Sequence, residues 1–118
     1  MTIKKTFYID IYSCNVHVTA ADDVRRSINY YLKKHGEKII DYDVEGLFFV
    51  PIDQVSDYYL FFNLKGLDVN TLNHEISHLI EEILIHRHIK ASGEQRAYLH
   101  GSTCERIYNF FKKKKCIK

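Results

Sequence analysis

Little in this chain suggests a disulfide framework. Of its 118 residues three are cysteines, Cys14, Cys104 and Cys116, an odd number without C-x-x-C spacing, and a reducing compartment is the simpler reading. Long apolar runs are missing too, so no transmembrane segment is expected. The opening residues MTIKKTFYIDIY carry two lysines but neither an extended apolar stretch nor a small-residue cleavage site, which argues against a signal peptide. Nor is there a large excess of either charge. The formal net charge is +2, which implies no overall preference for nucleic acid. These absences point to a cytoplasmic protein that does not engage a membrane. What is present, 46% hydrophobic and 27% charged residues, is the composition of a folded chain and excludes global disorder. The length suits one domain, expected over residues 1–111, with a basic tail at 112–118.

Residues 6–19 read as extended. Phe7, Ile9 and Ile11 alternate with polar or aromatic neighbours, and beyond Ser13 the apolar parity passes to Cys14, Val16 and Val18. A one-residue change of phase predicts a bulge or bend near Ser13. His17 falls on the less apolar face, where an exposed or hydrogen-bonded strand histidine is expected. A helix is predicted from Thr19 to about His35, with Asp22 and Asp23 in its first turn, Val24, Ile28, Tyr31 and Leu32 as its buried stripe and Gly36 as its stop. Arg25, Arg26, Lys33 and Lys34 read as its solvated face. From Lys38 to Leu64 short apolar runs alternate with turn signals: KIIDYDV, Glu45-Gly46, LFFVPI, a turn at Asp53 to Ser56, then DYYLFFNL. That is the pattern of a β-meander. Pro51 marks the end or edge of its strand. The apolar density of the last two runs suggests strands covered on both faces.

The most informative stretch is Thr71 to Leu84, TLNHEISHLIEEIL, which holds His74, Glu75 and His78 in H-E-x-x-H spacing within a helical apolar period. At 3.6 residues per turn the two imidazoles lie one above the other and can converge on one metal ion. Glu75, about 100° further round, can reach a water on that ion, the position a general base requires. Leu72, Ile76, Leu79 and Ile83 form the opposite stripe. Asn70 or Thr71 is the expected cap. His86 and His88 suit the negative end of the helix, and Glu81 and Glu82 either orient a ligand imidazole or, as is commoner, are exposed helix carboxylates. A glycine at 81 and a histidine at 84, which one zinc pattern would need, are not there.

A third ligand is best sought in a second helix opened by the capping box Ser92–Gln95. Glu94 lies in its first turn, and Ala97 and Gly101 share its side. Small residues there would let the two helices approach closely enough for a short carboxylate to reach the ion. Tyr98, one turn on, can donate to the oxyanion formed when water attacks a carbonyl, or else pack in the core. His100 faces elsewhere and is the weaker candidate. Cys104, Ile107, Tyr108 and Phe111 continue the buried stripe, and Lys112 to Lys115 are expected to fray as a solvated end.

HEISH followed by the E-x-x-A-Y-L of Glu94, Ala97, Tyr98 and Leu99 resembles the gluzincin type of zinc metallopeptidase, and HEISHLIEEI with EQRAYLHG is similar to small proteins of phage and prophage genomes. The resemblance covers roughly the last third of the chain. It implies His74, His78 and Glu94 as zinc ligands, Glu75 as base, and carries no substrate with it. The expectation is therefore an α+β fold: a small sheet from a meander and an N-terminal strand, one early helix, and a C-terminal helix pair around Zn2+. Its activity would be zinc-dependent hydrolysis of a peptide or protein. The alternative is a catalytically silent, zinc-stabilised structural or partner-binding protein. Two imidazoles and a carboxylate also suit iron.

Overall fold

The change of apolar phase near Ser13 is where the chain reverses. In the computed structural model, which describes residues 1–51 and 56–117, strand β1 (Thr2–Ile9) is followed by a 3-10 turn at Asp10–Tyr12 and then by β2 (Cys14–Ala21). Ser13 adopts a left-handed conformation with φ 50°, and its N–H donates to the Asp10 carbonyl at 3.1 Å. The turn folds β1 back antiparallel on β2, with Phe7 opposite Val16 and Ile9 opposite Cys14. All four are buried on one face, as opposed residues of an antiparallel pair must be. One kinked strand was expected, and a hairpin is found.

Helix α1 (Val24–Lys34) begins five residues later than its period suggests. Thr19 to Ala21 belong to β2, paired on one side with β1 and on the other with β4 (Asp57–Asn63). Two ladders of backbone hydrogen bonds outweigh the local helical preference. Asp23 caps the helix, its carboxylate accepting from the Arg26 N–H. Val24, Ile28 and Leu32 face Phe61 of β4 in one core, with Tyr31, Ile40, Val44, Leu47, Phe49 and Tyr59 around it. Sealing a side chain such as Ile28 from water contributes roughly 1.5–3 kcal/mol. Gly36 ends the helix at φ 73°, with Glu37 N–H on the Leu32 carbonyl and Gly36 N–H on that of Lys33, a Schellman motif as its glycine implied.

KIIDYDV forms no strand. The Asn29 side chain takes the place of a neighbouring strand: its carboxamide donates to the Ile40 carbonyl and accepts from the Ile40 N–H, both at 2.9 Å. Strand β3 (Gly46–Phe49) then pairs antiparallel with β4, and it stops short of Pro51 at a sheet edge. Ile52, and Asp53 to Val55 of the expected turn, lie outside the described residues. The sheet order is β1-β2-β4-β3, with β2 and β4 parallel; a parallel pair needs a long crossover, and α1 lies within it. Tyr58, Leu60, Phe61 and Phe62 are all buried, so β4 is apolar on both sides, and it is interior to the sheet. His17 bridges the sheet through its two nitrogens, Nδ1 2.9 Å from Thr6 Oγ1 and Nε2 2.7 Å from Asp57 Oδ1, and stacks on Tyr59.

The chain divides into two units, Met1–Gly66 and Leu67–Lys118. The second is a pair of helices, α2 (Val69–His86) and α3 (Gly93–Lys113). The cap of α2 is Asp68, ahead of the expected Asn70 or Thr71; its carboxylate accepts from the Thr71 N–H at 2.8 Å. Hydrogen bonding to Thr71 holds that carboxyl below its ordinary range. Both helices end in Schellman motifs built without glycine. His88 (φ 54°) closes α2 and Lys115 (φ 59°) closes α3, with Ile89 N–H on the Leu84 carbonyl and Cys116 N–H on that of Phe111. Lys112 to Lys115 are exposed as expected, but the end does not fray: the motif turns the chain so that Ile117 is buried. Among the described residues no helix is long and apolar enough to cross a membrane.

Candidate metal centre

Two demands fix the side chains of α2. Leu72, Ile76, Leu79, Ile80, Ile83 and Leu84 are buried, and this wide apolar face leaves His74 and His78 on the exposed side. Four residues apart, their rings stack up the helix with centroids 4.9 Å apart and planes at 84°. The two Nε2 atoms approach to 3.3 Å. A tetrahedral ion with metal–nitrogen bonds of about 2.0–2.1 Å has ligand atoms separated by about 3.3–3.4 Å. The separation of the two nitrogens is therefore that of one edge of such a tetrahedron. Without an ion one Nε2–H donates to the other nitrogen; to hold an ion through both Nε2 atoms, the donating ring would shift its single hydrogen to Nδ1.

Glu75 completes the group. A carboxylate oxygen and the two imidazole nitrogens all lie within 4.8 Å of one another. Unlike the histidines Glu75 is buried, 6% exposed, at the margin of the apolar face. That burial raises its carboxyl above the ordinary carboxylate range, and the neighbouring His74 and His78 pull it part of the way back. A carboxylate made more basic by burial and set beside a metal position has the character of a general base.

Glu94 stands outside this group. It lies in the first turn of α3, exposed, behind the expected capping box: Gln95 N–H on Ser92 Oγ at 3.1 Å and Ser92 N–H on Gln95 Oε1 at 2.9 Å. Ala97 is exposed as well, and a Cβ added to Gly101 would meet nothing within 4 Å. The expected close approach of the helices through small residues is thus corrected. They meet instead at Asn73, the residue before His74. His100 Nε2 lies 3.2 Å from Asn73 Oδ1, and the Cys104 thiol donates to the same oxygen at 2.8 Å. Burial pushes the Cys104 thiol up to about 11. Tyr98 is 79% exposed, so of its two expected roles the packed one is excluded.

His86 pairs with Glu82 at 3.3 Å and His88 turns the chain; neither joins the metal group, and Glu82 is directed to His86 instead of a ligand imidazole. Asn73 is the residue that sequence reasoning missed. The available signal was the i, i+4 spacing of His100 and Cys104, which puts two polar groups on the side of α3 that the apolar stripe turns inward. Comparison with protein-family models, with curated proteins and with solved structures gives no match for this chain.

Proposed function

We propose that the chain is a zinc-dependent hydrolase acting on a peptide or protein, a small metallopeptidase of gluzincin type. The observation that carries the reading is the His74–His78 pair at the spacing of a tetrahedral edge, with the buried Glu75 carboxylate beside it. Zinc at such a site, when bound, supplies a Lewis acid to a substrate carbonyl and lowers the pKa of water toward neutrality. Glu75 takes the proton from the attacking water and delivers it to the leaving amine. His74 and His78 hold the ion from the exposed side of α2, and Glu94 is the proposed third ligand. Tyr98, exposed on the same helix as Glu94, is the proposed hydrogen-bond donor to the developing oxyanion. Three free cysteines fit a reducing, cytoplasmic setting.

Elemental analysis of purified protein should find one zinc per chain. Glu75→Gln should keep it while hydrolysis of a peptide library falls about 100-fold to 10,000-fold. A metal-free protein, or hydrolysis indifferent to a chelator, would defeat the proposal. Glu94→Ala should lose zinc, and unchanged zinc content would remove Glu94 from the ligand set.

A second reading is favoured by one observation: Glu94 is exposed and outside the group. Two imidazoles alone leave positions that a carboxylate from another protein can fill, and the chain is then a catalytically silent zinc-stabilised binding protein. Zinc-loaded protein that cleaves nothing in the library would decide for it.

A further inference from the structure

Helix α3 repeats, on its inner side, the spacing that α2 uses for its histidines. His100 and Cys104 are four residues apart and project together. They converge on one oxygen of α2, His100 Nε2 at 3.2 Å and Cys104 Sγ at 2.8 Å from Asn73 Oδ1. Three donors of different kinds, imidazole nitrogen, thiol sulfur and carboxamide oxygen, are thus brought to one point by two helices. Cys104 is shielded but not sealed, and it forms no disulfide.

We propose that His100, Cys104 and Asn73 form a second metal site, for a thiophilic ion such as zinc, distinct from the His74–His78 pair. Sulfur and imidazole together select zinc, cobalt or copper(I) over magnesium and calcium, which prefer all-oxygen shells. The hydrogen bonds are the metal-free form of this site. On binding, the Cys104 thiol gives its proton to solvent and its sulfur draws back from the 2.8 Å hydrogen-bond distance to make room for the ion, while His100 moves its ring hydrogen to Nδ1 so that the Nε2 lone pair faces the ion and Asn73 Oδ1 remains a ligand. No oxidant or reductant enters. The bound ion ties α3 to α2 at the residue preceding His74, fixing the helix that carries Glu94 and Tyr98. The inference does not depend on the hydrolase reading, because it uses none of the same ligands.

The test is anaerobic titration of the full chain carrying His74→Ala and His78→Ala with cobalt(II). Only a sulfur ligand gives a near-ultraviolet sulfur-to-cobalt charge-transfer band, and the α2 pair contains none. One equivalent of cobalt should produce the band. Cys104→Ser in that background should abolish it, and His100→Ala should weaken cobalt binding by at least about tenfold. Absence of the band, or its survival in Cys104→Ser, would overturn the proposal. Should the substituted chains fail to fold, the unaltered protein decides. Zinc should slow alkylation of Cys104, read by peptide mass spectrometry, and an unchanged rate sinks the site while leaving the zinc content at His74 and His78 a separate measurement.

Discussion

The middle of α2 and the first turns of α3 carry the two halves of one proposed site, yet they are held in place by different means. In α2 the turns around the histidines are anchored by Leu72, Ile76, Leu79 and Ile80, each 1% exposed or less. His74 and His78 have no freedom to leave the outer side without exposing that face. In α3 every residue from Ser92 to Tyr98 is exposed, and what sets the helix start is the reciprocal pair of hydrogen bonds in its capping box. Burial places the His74–His78 pair; the hydrogen bonds of the capping box set the helix start that carries Glu94 and Tyr98. The side-chain anchor of α3 begins at His100 and Cys104, on Asn73. The contrast explains why an ion would matter more to α3 than to α2: it would add a tie to first turns that are exposed to solvent.

The buried face of α2 is the stronger of the two anchors, and its loss should have the largest effect. Leu79→Ala should cost about 2–5 kcal/mol of unfolding free energy, since it empties a sealed site one residue from His78. Denaturant titration measures this, and a cost below about 1 kcal/mol would mean that burial does not hold the histidine turn. Glu75 sharpens the same point through pH. Its carboxyl is raised by burial from the ordinary 4.5, so the stability it contributes is fully present below that value and is lost as pH rises through the folded value. Above that folded value the metal-free protein therefore bears a buried charge that Glu75→Gln does not have. The variant should melt above the chelated parent at the alkaline end of the titration, with the gap closing as pH falls below 4.5. A gap that is the same at both ends would remove burial as its cause.

How much of this was legible beforehand follows the same division. The stripe Leu72, Ile76, Leu79 and Ile83 is buried as its period implies, and the capping box of α3 forms between the residues that spell it. Both signals are local, written within one helix. The misreadings arise where a partner distant in sequence decides. Thr19 to Ala21 enter β2 because β1 and β4 pair with them from either side. The apolar KIIDYDV stays irregular because Asn29 satisfies the peptide groups of Ile40. At the candidate site, the convergence of His74, Glu75 and His78 was readable because one helix carries all three. The junction of α3 with α2 was signalled from one side alone, by the spacing of His100 and Cys104, and no pattern within α3 indicates that Asn73 is the side chain opposing them.

Changes at the exposed start of α3 should be smaller. Ser92→Ala removes the hydroxyl that accepts the Gln95 N–H at 3.1 Å, and should cost about 1 kcal/mol. If α3 is set at its start by that capping box, a chelated sample should also show faster amide exchange over the residues next to it than the parent does. Protection unchanged there would show that contacts beyond the box hold the first turn.

Tyr98 should show the least effect on stability and gives the clearest separation of folding from function. With 79% of its surface in water, Tyr98→Phe should change stability by no more than about 0.5 kcal/mol. The phenol hydroxyl matters only if it meets a developing oxyanion, and loss of such a donor costs about 100-fold to 1,000-fold in kcat. A substitution that leaves the melting curve in place and depresses kcat would mark Tyr98 as acting on substrate from an unpacked helix face. Unaltered turnover would take it out of the mechanism. A drop of several degrees in Tm would instead show that this face is packed, and with it the distinction drawn between the two helices would fail.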